Sequence, residues 1–341
     1  MPTWGEILVE LQDPSNRLPN GAPDFDGVRR KYLGQLFALT QRPTIVYYTD
    51  WFGKGGPAAS ITLEDMQGLM EVCKDLPGPN LDIVLHSPGG SPEAAASLVR
   101  YLRTKFSHIR VFVPLAAMSA ATMWALAGDV ILMGKHSQLG PIDPQMVSGA
   151  WTAPARAILR QFEQAKEECK DPTLLGAWMP ILQQYGPALI QQCEAAEALA
   201  VRLVREWLEQ WMFSGAPDAA TRAEETAAFF ADYEIHQSHS LGIDREQARA
   251  HGVRVDDLEA DQTLQDAVLS VHHATMHTIQ GPAMKIVENH LGRTFAKVTQ
   301  QLVVQMPMMG PAGPAGPLPP GLPGFGTPGR PGVSPPVPGQ A

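Results

Sequence analysis

Cysteine is scarce in this chain: three in 341 residues, at Cys73, Cys169 and Cys193. An odd count without short-range pairing argues against a disulfide framework and for reduced thiols. No C-x-x-C or His/Cys cluster offers a zinc site. Positive charge is also short. Lys and Arg number 26 against 35 Asp and Glu, a net charge of -9 at pH 7. With no basic stripe to neutralise phosphates, a nucleic-acid partner is not expected. No apolar run reaches the ~18 residues that cross a bilayer. The opening MPTWGEILVELQDP has neither the basic n-region nor the long apolar h-region of a signal peptide. The expectation is a cytoplasmic protein. Peripheral membrane contact is open but not indicated: the apolar helical face through Leu199, Leu203, Trp207 and Trp211 lies among Glu194, Glu197, Glu206 and Glu209 with few basic residues, so attraction to anionic lipid would be weak.

Hydrophobic residues make up 44% of the chain and charged ones 18%, enough for one good core and a tail. Residues 1–24 end in the turn-rich DPSNRLPNGAPD and read as an extended arm with room for one helical turn. VRRKYLGQLFALTQ has helical spacing, and TIVYYTDWF is a strand. The following GKGGPAAS loop has the lysine and glycines of a phosphate loop without the spacing, so no nucleotide is expected. From Leu81 to Gln145 three short apolar runs each end in a turn and lead on: LDIVLHSPGG, VFVPLAAMSAATMWALAG and DVILMGKHSQLGPIDPQ. Ser91 and Pro92 open a helix as N-cap and first helical residue. This strand–helix rhythm predicts an α/β core with parallel pairing. After Pro144 the chain reads as helices to about residue 305. Met306 to Ala341 is dominated by Gly and Pro and reads as a disordered tail.

The chemistry concentrates in the first and second of those turns. A strand that stops at glycines leaves backbone N–H groups free for a ligand. A strand that stops at a serine and continues as a helix puts the hydroxyl at the helix's positive end. Ser119 is the candidate nucleophile. Gly90, shaped by Gly89, and Ala120 are the candidate oxyanion donors. The bland alternative is a small residue packing a buried helix. His273 and His277 stand at i,i+4 but lack a third ligand nearby, so no metal is expected, and no motif calls for a cofactor.

S-P-G-G before a helix, followed by A-A-M-S-A-A after a strand, resembles the Clp protease and signal peptide peptidase A group. RRKYLGQLFALTQRPTIVYYTDWF, LGPIDPQ and SHSLGIDREQARAHGVRV carry a narrower resemblance, to the serine dehydrogenase proteinase family. The resemblance implies the Clp/crotonase-like fold of stacked β-β-α units over residues 25–260; the residues themselves read as a C-terminal helical segment at 261–305 and the tail at 306–341. It implies a serine peptidase acting on peptide or protein substrates, assembled as a homo-oligomer. Where Clp proteases carry the triad histidine, this chain has Asp143. Signal peptide peptidase A and its relatives instead use a Ser-Lys dyad with the lysine tens of residues further on. That makes Lys166 the expected base, with Lys170 in the same window. A lysine serves only if desolvated enough to be neutral near pH 7, and Glu163, Glu167 and Glu168 would keep an exposed Lys166 charged. His136 and His239 are the histidine alternatives, the latter at a place where the resembled family also has a histidine. His86 either lines the pocket or sits in the core. A crotonase-like acyl-CoA enzyme, which needs the oxyanion hole but no serine, and an inactive assembly protein of the same fold are the rival functions.

Overall fold

The strands carry apolar side chains at consecutive positions, the pattern of strands covered on both faces. A computed structural model, which describes residues 2–148, 151–281 and 283–298, has this arrangement. Its strands are β1 (Thr44–Thr49), β2 (Asn80–His86), β3 (His108–Val113), β4 (Ala116–Ala117), β5 (Val130–Met133), β6 (Gln138–Leu139), β7 (Gln145–Ser148), β8 (Trp151–Pro154), β9 (Val255–Asp257), β10 (Ala283–Asn289) and β11 (Thr294–Val298). Its helices are α1 (Trp4–Gln12), α2 (Phe25–Thr40), α3 (Asp65–Val72), α4 (Pro92–Lys105), α5 (Ala120–Leu126), α6 (Ala155–Glu168), α7 (Leu175–Leu182), α8 (Leu189–Trp207), α9 (Ala219–Ala231), α10 (Tyr233–His236), α11 (Arg245–Ala250) and α12 (Gln262–Gln280).

Seven strands form the main sheet in the order β11-β10-β1-β2-β3-β5-β9. The run from β1 to β9 is parallel, and β10 and β11 add to it antiparallel. Side chains alternate across the sheet. Ile45, Tyr47, Ile83, Val111 and Ile131 pack under α3, α4, α5, α8 and α9. Val46, Tyr48, Val84, Phe112 and Leu132 pack under α1, α2 and α12. Each buried aliphatic side chain contributes about 1.5–3 kcal/mol, so the strand ends that carry the site rest on a stiff slab. Two small sheets stand beside the main one: β4 with β6, parallel, and the β7–β8 hairpin, whose base packs on α6 and α8. The α/β class expected from the sequence stands.

Three expectations about the termini meet the structure differently. Residues 1–24 hold a nine-residue helix, α1, capped by a Thr3–Glu6 capping box, and its Ile7 and Leu11 are buried in the α2/α12 layer. The segment expected to be helical at 261–305 is helical only in α12; 283–298 forms β10 and β11 within the main sheet. The reason is that β10 buries polar residues. Lys285, Glu288 and Asn289 are all fully inaccessible, and in a sequence such residues mark a solvent face. Each has a buried partner: Asp65 for Lys285, Arg29 for Glu288, and the Val72 carbonyl for Asn289. The tail expected at 306–341 lies outside the described residues.

Candidate active site

Ser119 ends the short strand-and-turn Ala116–Met118 and is the N-cap of α5. Its backbone sits at φ 52°, ψ -123°, a region that side chains other than glycine's avoid. Such a sharp strand-to-helix turn lifts a nucleophile clear of its neighbours. Met118, Ala120 and Ala121 are buried, whereas Ser119 is half-buried. Its hydroxyl does not cap the helix, so it is left available to a ligand or a base.

The S-P-G-G turn lies against this serine. Gly89 has φ +98°, and a Cβ there would sit 2.7 Å from Ser119 Cβ and 2.8 Å from the Ala120 nitrogen. Only glycine permits that approach. Gly90 forms an isolated parallel bridge with Ile61. Ile61 N–H donates to Gly89 O at 2.7 Å, and Ser91 N–H donates to Ile61 O at 3.0 Å. In a parallel bridge those bonds belong to the flanking residues, so the N–H of Gly90 itself faces away from Ile61. Among the described residues neither that amide nor the one of Ala120 donates to a protein group.

The other half of the site comes from a distant segment. Leu139 and Ile243 form an antiparallel bridge, with N–H···O bonds of 2.9 and 2.8 Å in both directions. Antiparallel pairing sets residues after one partner opposite residues before the other. Four steps on from Leu139 is Asp143, and four steps back from Ile243 is His239. His239 Nδ1 donates to Asp143 Oδ1 at 2.7 Å. The carboxylate is buried and accepts a second bond from Gln145 Nε2 at 2.7 Å, while a quarter of the His239 side chain is exposed. With a carboxylate accepting at Nδ1, the imidazole keeps its lone pair at Nε2. Thr122, on the first turn of α5, ties the halves together. It donates to Ala117 O at 2.7 Å and accepts from Gly140 N–H at 2.9 Å.

Ser119, Gly89, Gly90, Ala120, Asp143 and His239 all line one cleft of about 470 Å³, closed over by apolar side chains of α5, α8 and β7. Residues 58–183 match the family described as ClpP-like SDH-type serine proteinase. The resemblance read from the sequence is therefore supported over the stretch that carries Ser119 and both glycines. Two uncharacterized proteins of Methanocaldococcus jannaschii are similar to this chain. One is 36% identical over 117 residues, covering 34% of this chain and 40% of its own length; the other is 33% identical over 119 residues, covering 34% and 38%. The chain thus spans about two fifths of the length of these curated relatives. Among solved structures, a mutant of a membrane-bound stomatin-specific protease aligns with 58% of this chain and 75% of its own, at 18% identity and a TM-score of 0.33.

The structure does not bring the expected lysines to the cleft. Lys166 lies on the solvent side of α6, 54% exposed, and donates to both carboxylate oxygens of Glu163 at 2.9 and 2.8 Å. That ion pair belongs to a solvated helix face, and Lys166 does not line the cleft. Lys170 is more exposed still and pairs with Glu167. His136 lies in the exposed turn after β5 and does not line the cleft. His86 is buried outside the cleft. Its Nδ1 donates to Ala116 O at 3.2 Å and its Nε2 accepts from Trp51 Nε1 at 3.2 Å. Burial pushes its pKa down to about 4, against the opposing pull of the Ala116 carbonyl and Asp50. His273 and His277 bond to the backbone oxygens of Pro2 and Trp4. Sequence reasoning named His239 as an alternative base and read Asp143 only as a departure from the triad pattern; what it missed was that the two pair. The signal available was the pair of glycine turns, LGPID and SHSLGI, that flank the bridge. Among the described residues no helix is long and apolar enough to cross a membrane.

Proposed function

We propose that this chain is a serine peptidase that cleaves peptide bonds through an acyl-serine, with a Ser119–His239–Asp143 triad in place of the Ser-Lys dyad expected from the sequence. Ser119 Oγ attacks the scissile carbonyl while His239 Nε2 takes its proton. Asp143 holds the imidazole in the right tautomer and stabilises the imidazolium. The amides of Gly90 and Ala120 stabilise the oxyanion, with Gly89 shaping the turn. The imidazolium then protonates the leaving amine, and water, deprotonated by the same Nε2, releases the acyl group. The observation that carries this reading is the sharing of one cleft by an uncapped serine in a strained turn, a carboxylate-oriented histidine and two unengaged amides. In apo enzymes the nucleophile–base hydrogen bond is often loose and tightens with substrate. The apolar lining, with Met123, Ile142, Met146 and Leu199, suits peptide side chains. A homo-oligomer, which the family resemblance implies, belongs to the same proposal and is checked by light scattering.

A fluorophosphonate probe tests the reading. The expected result is a covalent adduct on Ser119, absent in Ser119→Ala and formed far more slowly in His239→Ala. Folded wild-type protein that leaves Ser119 unlabelled, or a His239→Ala variant that labels at the wild-type rate, rejects it.

A further inference from the structure

A buried ion pair that does not line the cleft, Lys285–Asp65, bonds to the segment that bridges the glycine turn. Lys285 of β10 and Asp65 at the start of α3 are both fully inaccessible, with Nζ 2.7 Å from each carboxylate oxygen. The pair is saturated by its surroundings. Lys285 Nζ also donates to Ser60 O at 2.8 Å. Asp65 Oδ2 accepts from the Thr62 amide at 2.9 Å and from the buried Tyr47 hydroxyl at 2.7 Å. These bonds grip the three-residue segment Ser60–Thr62 at both ends. Its middle residue, Ile61, is the one that bridges Gly90.

From these contacts we infer that Lys285 and Asp65 are positioning residues for the oxyanion-stabilising amide of Gly90, acting through Ser60–Thr62. The inference rests on the reading of Ser119 as nucleophile. The coupling is stiff at every link. A Cβ on Gly90 would come within 2.4 Å of Ile61 N and 2.5 Å of Ile61 O, so the two backbones are in contact and Gly90 follows any shift of Ile61. The Ile61 bonds to Gly89 and Ser91 fix the tilt of the intervening peptide. Ser60–Thr62 is too short to hold its own position through backbone pairing, since among the described residues its one β-bridge is that to Gly90. The anchor must come from elsewhere, and the Lys285–Asp65 pair supplies it from the sheet. A buried ion pair in a sheet is weak evidence of stabilisation, because desolvation offsets the attraction. Its use here is geometric: an oxyanion donor must lie within a few tenths of an ångström of the developing charge to be effective.

The test compares k_inact and the half-saturating concentration of a fluorophosphonate on Ser119. The paired variant Asp65→Asn/Lys285→Met removes both charges together and leaves an amide oxygen that still accepts from Thr62. The expected result is a k_inact lower by about 10-fold or more, a half-saturating concentration within about twofold of wild type, and an unchanged pH midpoint of labelling, because His239 is untouched. A general loosening of the fold would shift all three. If the paired variant does not fold, Tyr47→Phe decides: it deletes one hydroxyl from the Asp65 carboxylate with no loss of carbon volume, and k_inact should fall by about 2- to 5-fold. A folded variant that reacts at the wild-type k_inact overturns the inference while the nucleophile reading stands. A wild-type protein that is never labelled on Ser119 overturns both.

Discussion

The half of the cleft proposed to carry the nucleophile, from Pro88 to Leu126, and the half proposed to carry the base, from Leu139 to Ile243, are built in different ways. In the first, each functional group sits at the end of its own strand and the start of its own helix: Gly90 before α4, Ser119 before α5. The strained backbone is local, at φ +98° for Gly89, +149° for Gly90 and 52° for Ser119. In the second, Asp143 and His239 are brought together by a single backbone bridge between segments about a hundred residues apart in sequence. Local strain supplies precision cheaply where a strand–turn–helix unit is already packed. A distant partner requires the fold to be complete before the side chains meet.

Substitutions separate the two halves. The largest expected effect is on Ser119→Ala and His239→Ala, each lowering activity by on the order of 10⁴-fold or more. The double variant should be no worse than the weaker single, because the groups act as a unit; peptide-hydrolysis rates in a double-mutant cycle check this. Next, Gly90→Ala forces a side chain into Ile61 and turns the amide, and should slow fluorophosphonate labelling by about 10²-fold. The comparison sharpens further through its two histidines. His86, at the end of β2 just before the glycine turn, is buried, with its pKa depressed to about 4 from an ordinary 6.5. Above the ordinary value it is neutral whether the chain is folded or not, and nothing is lost. As pH falls through the interval between the two values the unfolded chain gains a proton that the folded one refuses, so stability drops. At ~1.4 kcal/mol per pKa unit the loss from this group approaches roughly 3 kcal/mol by pH 4. Denaturant midpoints measured from pH 7 to 4 should fall, and less steeply in His86→Gln. The smallest effect belongs to Lys166→Ala, which removes an exposed ion pair worth at most about 1 kcal/mol and should leave the labelling rate within about twofold of wild type.

The sequence displayed one half of this site and hid the other. Ser119, Gly89, Gly90 and Ala120 were legible because the signals are local: apolar strand, small-residue turn, helix start. Lys166 was favoured by spacing along the chain, and spacing carries no information about which face of α6 looks inward. The Glu163 beside it was the better guide, since an acidic neighbour one turn away is the mark of a solvated face. His239 could be named as a candidate but not ranked, because the register of Leu139 against Ile243 is a property of the folded pair. β10 was misread for a related reason. Its buried Lys285, Glu288 and Asn289 look like surface residues until their partners on α2 and α3 are in place.

Composition and pattern alone determined that this chain folds around a buried parallel sheet and that Ser119 follows a strand and opens a helix, because backbone geometry and burial periodicity are local consequences of residue type. Which histidine shares a cleft with that serine, and which buried charges bond to the segment bridging the glycine turn, was decided only by tertiary structure. Both depend on pairings between segments far apart in the chain, and the energy of such a pairing resides in neither segment by itself.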